Sequence, residues 1–298
     1  MSLTPRAVLV HRRTELDELV ARHGTRQQAA FFLRSRGRTI EEVEARHATQ
    51  DAAMTATAGV IPLDWRRAQV ERIDLARFVF GPEDVIVAVG QDGLVANVAK
   101  YLAGQPVIGI NPEPLRNPGV LVPHPPEALG ALLATAVSAA VGSRVQARVM
   151  VEGALDDGQV LRALNEIYIG HPSHQSARYR VQTPDGATER HSSSGILIGT
   201  GTGASGWCRS ASLERHSPLA LPEAEEPRLC WFVREAWPSP ATGTELTEGL
   251  VETDQRLVVT AESDLVLFGD GIEHDALNLT WGQQATLRVA SQRLHLLA

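Results

Sequence analysis

Gly90-Gln91-Asp92-Gly93 is the stretch of this chain whose residue types are best suited to chemistry. A carboxylate on a turn can take a proton from a hydroxyl. A helix starting behind it would offer unpaired N–H groups and the positive end of its dipole to a phosphate. Together these suit phosphoryl transfer, in which positioning and electrostatics dominate. The same four residues also make an ordinary turn, because glycine tolerates positive φ and aspartate bonds its own backbone. The three-glycine dinucleotide fingerprint and the P-loop lysine are both missing, so neither a dehydrogenase nor a P-loop enzyme is supported.

The flanking residues say what positions that aspartate. Val85-Ile86-Val87-Ala88-Val89 reads as a strand buried on both faces of a parallel sheet. Leu94, Val95, Val98 and Leu102 recur at helical spacing up to Gly104, and Pro106 to Ile110 reads as a second strand. This is a βαβ unit with an expected right-handed connection, and ligands of such sheets bind beyond the carboxyl ends of the strands. Upstream, Ala7 to Val10 is a short strand, and Thr14-Glu15-Leu16-Asp17 is a capping box opening a helix that ends near Gly24. A helix is expected over Gln27 to Leu33. A second capping box at Thr39-Ile40-Glu41-Glu42 would start another, running towards Thr57. Arg34, Arg36, Arg38 and the Trp65-Arg66-Arg67 cluster read as solvated loops in preference to phosphate contacts. Asn111 to Gly119 is a Pro- and Asn-rich loop on the same rim as Asp92. Pro126 to Ala140 reads as a helix closed by Gly142.

From Arg144 the texture changes to short apolar runs separated by turn clusters, with strands expected at 147–151, 165–169, 177–183, 195–199, 228–233, 256–260, 265–268, 276–279 and 285–289. Leu213 to Pro227 reads as loop. The expected architecture is α/β plus β: an amino-terminal parallel α/β domain over residues 1–142 and a carboxy-terminal, largely antiparallel β-rich domain over 143–298.

Composition narrows the function classes. A length of 298 residues suits two domains, and 43% apolar with 21% charged residues is ordinary for a soluble fold. A net charge of −7 argues against nucleic-acid and membrane-surface partners, and a cytoplasmic location is expected. Cys208 and Cys230 allow at most one bridge. The ten histidines show no metal-site spacing, and His171 and His174 read as surface residues.

Four segments in order resemble the NAD kinase family. Gly90-Gln91-Asp92-Gly93-Leu94 is similar to its GGDGT motif, and Asn165-Glu166 within RALNEIYIG is similar to its NE motif. Gly199-Thr200-Gly201-Thr202-Gly203-Ala204-Ser205-Gly206-Trp207 resembles its Thr- and Gly-rich segment, and Phe268-Gly269-Asp270-Gly271 its late DG turn. GINPEPLRNPG and the Val233-Arg234-Glu235 segment resemble the mitochondrial type of NAD kinase. The resemblance implies an active site between the two domains and a homodimer or larger assembly. It implies transfer of a phosphoryl group from ATP or polyphosphate to the 2′-hydroxyl of the adenosine ribose of NAD(H), giving NADP(H). Asp92 would be the general base, with Gly90, Gln91 and Gly93 near phosphate. Asn165 and Glu166 would hold the dinucleotide, and Thr200, Thr202, Gly203 and Ser205 would lie in the adenine-binding segment. Asn111 and Arg116, on the rim loop, complete the binding set. Mg2+ would come with the donor and not from a protein cage.

Gln91 and Leu94 stand where the family has Gly and Thr. A left-handed Gln91 would store strain of order 1 to 2 kcal/mol, so a reshaped turn is expected. Leu94 removes a hydroxyl able to cap the helix, a loss of about 1 kcal/mol. The bland alternatives are a turn at Asn165-Glu166, close backbone approach at Gly201, Gly203 and Gly206, and a structural hairpin at Asp270-Gly271. At the level of function, the alternatives are an NAD-binding or regulatory protein that has lost transfer, and a related kinase acting on a sugar or lipid hydroxyl.

Overall fold

Burial of nearly continuous apolar strands organises the first half of the chain. The computed structural model describes residues 4–138 and 144–297. It divides into two compact units, Met1–Gln146 with His295–Ala298, and Ala147–Leu294. The domain boundary expected at 142/143 and the helix-closing Gly142 lie outside the described residues.

The first unit opens with β1 (Arg6–His11), whose central residues Ala7 to Val10 are buried. Helix α1 (Glu15–His23) starts at the expected capping box: the Asp17 N–H donates to Thr14 Oγ1 and the Thr14 N–H to Asp17 Oδ2, and Gly24 ends the helix at φ 83°. Helix α2 (Arg26–Arg34) follows. Helix α3 (Ile40–Gly59) begins where expected, but Thr39 makes no side-chain cap bond, so the second capping box does not form. Next come β2 (Arg66–Glu71), β3 (Asp84–Val89), α4 (Asp92–Ala99), β4 (Pro106–Ile110) and α5 (Leu129–Ala136). Strands β2, β1, β3 and β4 lie side by side in that order, all parallel, and His295 and Leu296 run parallel beside β4.

The chain leaves β1 for one neighbour and returns through β3 on the other, so a crevice opens beyond their carboxyl ends. Every residue of β3 is buried, and Val85, Val87, Ile108 and Ile110 pack with Leu129 and Leu133 of α5. Arg66-Arg67 belongs to a strand and not to the expected loop. Only Val70 of β2 is buried, and edge pairing to β1 makes the strand. The guanidinium of Arg36 lies over the Phe32 ring and Arg38 pairs with Glu15, local contacts of the kind a solvated loop makes.

The second unit contains β5 (Val145–Leu155), β6 (Val160–Ala163), β7 (Glu166–Gly170), β8 (Ala177–Gln182), β9 (Thr188–Ser193), β10 (Ile196–Gly199), α6 (Trp207–Glu214), β11 (Leu229–Val233), β12 (Glu248–Val251), β13 (Leu257–Ala261), β14 (Leu265–Gly269), β15 (Ile272–Leu279) and β16 (Gln284–Leu297). One antiparallel sheet has the order β12-β11-β10-β7-β14-β15. In a second sheet, β16, β13, β8 and β9 are antiparallel neighbours, with β5 beside β16 and β6 beside β5. Ile167, Ile169, Tyr179, Val181, Ile198, Trp231 and Val259 share the buried core. On the other face of the six-stranded sheet, α6 covers Leu197 and Phe232 through Cys208 and Ala211. The α/β plus β architecture is therefore as expected, with β6, β9, β12 and α6 as additions. No helix among the described residues is long and apolar enough to cross a membrane.

One buried histidine makes this unit acid-sensitive. His191 on β9 is 1% exposed, its Nε2 lies 3.3 Å from Glu189 Oε2, and burial pushes its pKa below the ordinary value. The unfolded chain therefore binds a proton that the folded chain resists, so stability falls as pH drops below about 6.5. Denaturant midpoints measured from pH 8 down to pH 5 are expected to decline, and His191→Phe to flatten that decline.

Candidate functional site

In the first unit the Asp92 turn continues the sheet. The Gly90 N–H donates to Ile110 O at 2.9 Å, and Gln91 is extended at φ −112° and ψ 166°. Neither Gly90 nor Gly93 has positive φ, so the turn demands no left-handed residue and Gln91 carries no strain. Leu94 is 3% exposed and its Cδ2 lies in the space above Gly90, where it serves the core. Asp92 is a fastener. Its Oδ2 accepts the Val120 N–H at 3.0 Å, and its Oδ1 accepts those of Leu121 at 2.8 Å and Val122 at 3.2 Å. About four acceptor positions exist on a carboxylate, and three are filled. The fastened segment presses on β4, since a Cβ at Gly109 would stand 1.9 Å from Leu121 O.

Asn111 fastens the same loop from its other end. It is 2% exposed, its Nδ2 donates to Asn117 O at 2.7 Å, and its Oδ1 accepts the Glu113 N–H at 3.0 Å. Arg116 is exposed and its guanidinium has no partner among the described residues. No side chain caps α4, and nothing lies within 4 Å of where a Gly93 Cβ would point. The helix N-terminus thus faces open space with its first N–H groups available.

Beside it is a cavity of about 400 Å³, lined by Gly90, Gln91, Asn111, Arg12, Arg46 and acidic residues including Glu15 and Glu113. Arg46 and Arg38 both pair with Glu15, and the Arg38 hydrogen bond holds the Glu15 carboxyl below its ordinary range. Arg12 is exposed and unpaired among the described residues. Arg12 and Arg46 were not singled out from the sequence. For Arg12 the available signal was its place just past the carboxyl end of a buried parallel strand.

In the second unit the Asn165-Glu166 backbone is held from two sides. Asp270, in a turn at φ 53°, accepts the Leu164 N–H at 2.8 Å, that of Asn165 at 2.7 Å and that of Glu166 at 3.4 Å. Thr200 Oγ1 donates to Leu164 O at 2.5 Å and accepts the N–H groups of Thr202 and Gly203, and the Thr200 N–H donates to Asn165 O at 2.9 Å. A Cβ at Gly203 would stand 2.1 Å from Asn165 O, and one at Gly201 would stand 1.9 Å from Glu223 O, so both glycines mark close backbone approach. At Gly206 the nearest atom would be 3.6 Å away, and no such approach exists there. Ser205 Oγ donates to Thr202 O, whereas Thr202 Oγ1 is buried with no partner. The side chains of Asn165 and Glu166 accept and donate nothing among the described residues. The backbone is secured and the two polar side chains are left for something else.

Burial, and secondarily the charge of Asp270, raise the Glu166 carboxyl to about 7. The unfolded chain ionises this group near 4.5, so the folded state loses stability as pH rises from about 4.5 through 7. Glu166→Gln is expected to be more stable than the wild type at pH 8 by on the order of 2–3 kcal/mol, with the difference vanishing towards pH 4.5. Calorimetric melting at both pH values checks this.

No family model matches the chain, and no curated protein matches it in sequence. Among solved structures, it is similar to an NAD kinase from Archaeoglobus fulgidus in complex with ATP. The two share 17% sequence identity with a TM-score of 0.59, over 98% of this chain and 93% of that one. The chain therefore has the fold of that NAD kinase.

Proposed function

We propose that the protein is a kinase that transfers a phosphoryl group from ATP or polyphosphate to the 2′-hydroxyl of the adenosine ribose of NAD(H), giving NADP(H). The observation that carries this is the Asn165-Glu166 pair, whose backbone is fastened by Asp270 and Thr200 while its amide and carboxylate stay unpartnered. Such a pair can both donate to and accept from a sugar hydroxyl. The buried, unpaired Thr202 hydroxyl and the neighbouring Ser205 support an adenine-side contact. On the donor side, the uncapped start of α4 with Gly90, Gln91 and Gly93, and the unpaired charge of Arg12, suit phosphate oxygens. Asn111 keeps the rim loop in place, and Arg116 offers a second exposed charge. Mg2+ bound to the donor would neutralise its phosphates; among the described residues no three side chains group to cage a metal.

The resemblance places the general base at Asp92. Its three amide bonds support a holding role. A second reading, an NAD-binding protein without transfer, is favoured by the exposed Gln91 and the core-bound Leu94, which alter the donor side.

Incubating the protein with NAD or NADH, Mg2+ and each donor in turn is expected to yield NADP(H). Calorimetric NAD binding without product would select the second reading. No NAD binding together with phosphorylation of a sugar or lipid would overturn both. A separate prediction tests the donor side: Gly93→Ala meets no atom and suits a helix by about 0.5–1 kcal/mol, so the variant should melt no lower than the wild type. Its methyl group enters the phosphate space, and KM for the donor should rise about tenfold or more.

A further inference from the structure

Two thiols meet over one glycine inside the second unit. Cys230 on β11 pairs directly with Gly199 on β10. Cys208 is the second residue of α6, and a Gly199 Cβ would stand 2.3 Å from its Sγ and 3.5 Å from its Cβ. The Cys230 Sγ lies 3.7 Å from the Gly199 carbonyl oxygen. Residues opposed across antiparallel strands hold their Cβ atoms about 4.5–5.5 Å apart on one face, so Cys208 occupies the place from which a side chain on β10 would touch Cys230. Both are free thiols, fully buried in the apolar cluster of Leu197, Ala211 and Phe232. The Cys208 S–H donates to the Cys230 sulfur, which raises the Cys208 thiol and lowers that of Cys230. Cys230 is therefore the first of the two to ionise, and neither has a part in the site described above.

We propose that Cys208 and Cys230 join in a reversible disulfide under oxidation, and that this bond disables the Thr- and Gly-rich segment that leads into α6. A disulfide holds its sulfurs about 2 Å apart and its Cβ atoms about 3.5–4.5 Å apart, which the start of α6 reaches by a small shift towards β11. The oxidant meets the buried sulfurs when the first turn of α6 opens. That helix has eight residues and no side-chain cap, which keeps the cost of opening low. With a peroxide as oxidant, the Cys230 thiolate attacks one peroxide oxygen, the S–O bond forms as the O–O bond breaks, and the departing hydroxide takes up the proton the thiol released. The Cys208 sulfur then attacks the sulfenic sulfur, the S–S bond forms, and the second hydroxide leaves with the Cys208 proton as water. In sum, two thiols give up two electrons and two protons, and one hydrogen peroxide becomes two waters.

The segment before α6 has no slack to absorb the shift. The Ser210 N–H donates to Gly206 O and the Gly206 N–H to Gly203 O, while Thr200 Oγ1 accepts the N–H groups of Thr202 and Gly203. Gly203 already lies against Asn165 O with no room for a Cβ. Drawing Cys208 towards β11 therefore pulls the turn from Gly203 to Gly206 away from a fixed Thr200 and Asn165. Loss of NAD affinity on oxidation rests on the NAD-binding reading of this segment; formation of the disulfide does not.

The test uses the full-length wild type, treated with hydrogen peroxide or with glutathione disulfide, then alkylated under denaturing conditions and mapped by mass spectrometry. Hydrogen exchange of the amides from Thr202 to Gly206 and calorimetric NAD binding are measured before treatment, after it, and again after dithiothreitol. A peptide cross-linked through Cys208 and Cys230 is expected, with faster exchange in the segment and a Kd for NAD raised about tenfold or more, all reversed by dithiothreitol. Cys208→Ala and Cys230→Ala, made separately so that either can serve if the other fails to fold, should bind NAD as the reduced wild type does and lose the response to oxidant. Both thiols still open to alkylation after treatment would overturn the proposal, as would oxidation that stops at separate sulfinic acids or that joins two chains. So would a cross-link that leaves exchange and NAD affinity unchanged. A reduced protein that binds no NAD overturns the NAD-binding reading instead, and the cross-link with its effect on exchange then decides the switch by itself.

Discussion

One aspartate gripping three consecutive backbone N–H groups is the constraint on which the second unit's site depends. Asp270 reaches back 104 to 106 residues to hold Leu164, Asn165 and Glu166. Hydrogen bonds to a charged acceptor contribute about 1.5–3 kcal/mol each, enough to hold an irregular backbone against its own entropy. Thr200 works from the opposite side through the carbonyls of Leu164 and Asn165. With both edges of the segment satisfied and Leu164 buried, the side chains of Asn165 and Glu166 make no hydrogen bond among the described residues. The glycines of the Thr- and Gly-rich segment follow from the same constraint, since backbone can lie on backbone at Gly203 only where no Cβ intervenes.

The first unit repeats the device with different local geometry. Asp270 and Gly271 both have positive φ, as a hairpin turn between β14 and β15 requires. Asp92 opens a helix and its neighbours keep ordinary dihedrals. Two Asp-Gly pairs that look alike in sequence are thus a turn in one case and a helix start in the other, and their carboxylates still converge on one role. A carboxylate used as a loop fastener is fixed in place by the amides it accepts.

The fold was legible where burial dictates residue type. Val85 to Val89 could only be an interior strand, and the Thr14–Asp17 capping box and Gly24 marked both ends of α1. It was illegible where pairing overrides composition. Strand β9 reads Thr-Glu-Arg-His-Ser-Ser and exists because all six residues pair with β8, and β2 has a single buried residue. Helix α6 hid behind the glycines before it. The site shows the same division. Residue types at Asp92, Asn165 and Glu166 were readable, but the occupancy of Asp92 depends on amides 28 to 30 residues away and the isolation of Glu166 on what its neighbours bond instead. No local pattern encodes either.

Gln91 and Leu94, the two departures from the familiar motif, change meaning once the backbone is known. An extended residue at position 91 has no need of glycine, so the substitution leaves the turn intact and adds an exposed amide at the rim of the 400 Å³ cavity. Leu94 exchanges a hydroxyl for a core contact over Gly90, leaving the start of α4 to be satisfied by whatever ligand arrives. Both changes therefore fall in the segment fastened by Asp92 and leave the fastening of Asn165 and Glu166 untouched. The two segments are fastened by separate aspartates, so a change beside Asp92 leaves the hydrogen bonds made by Asp270 as they were.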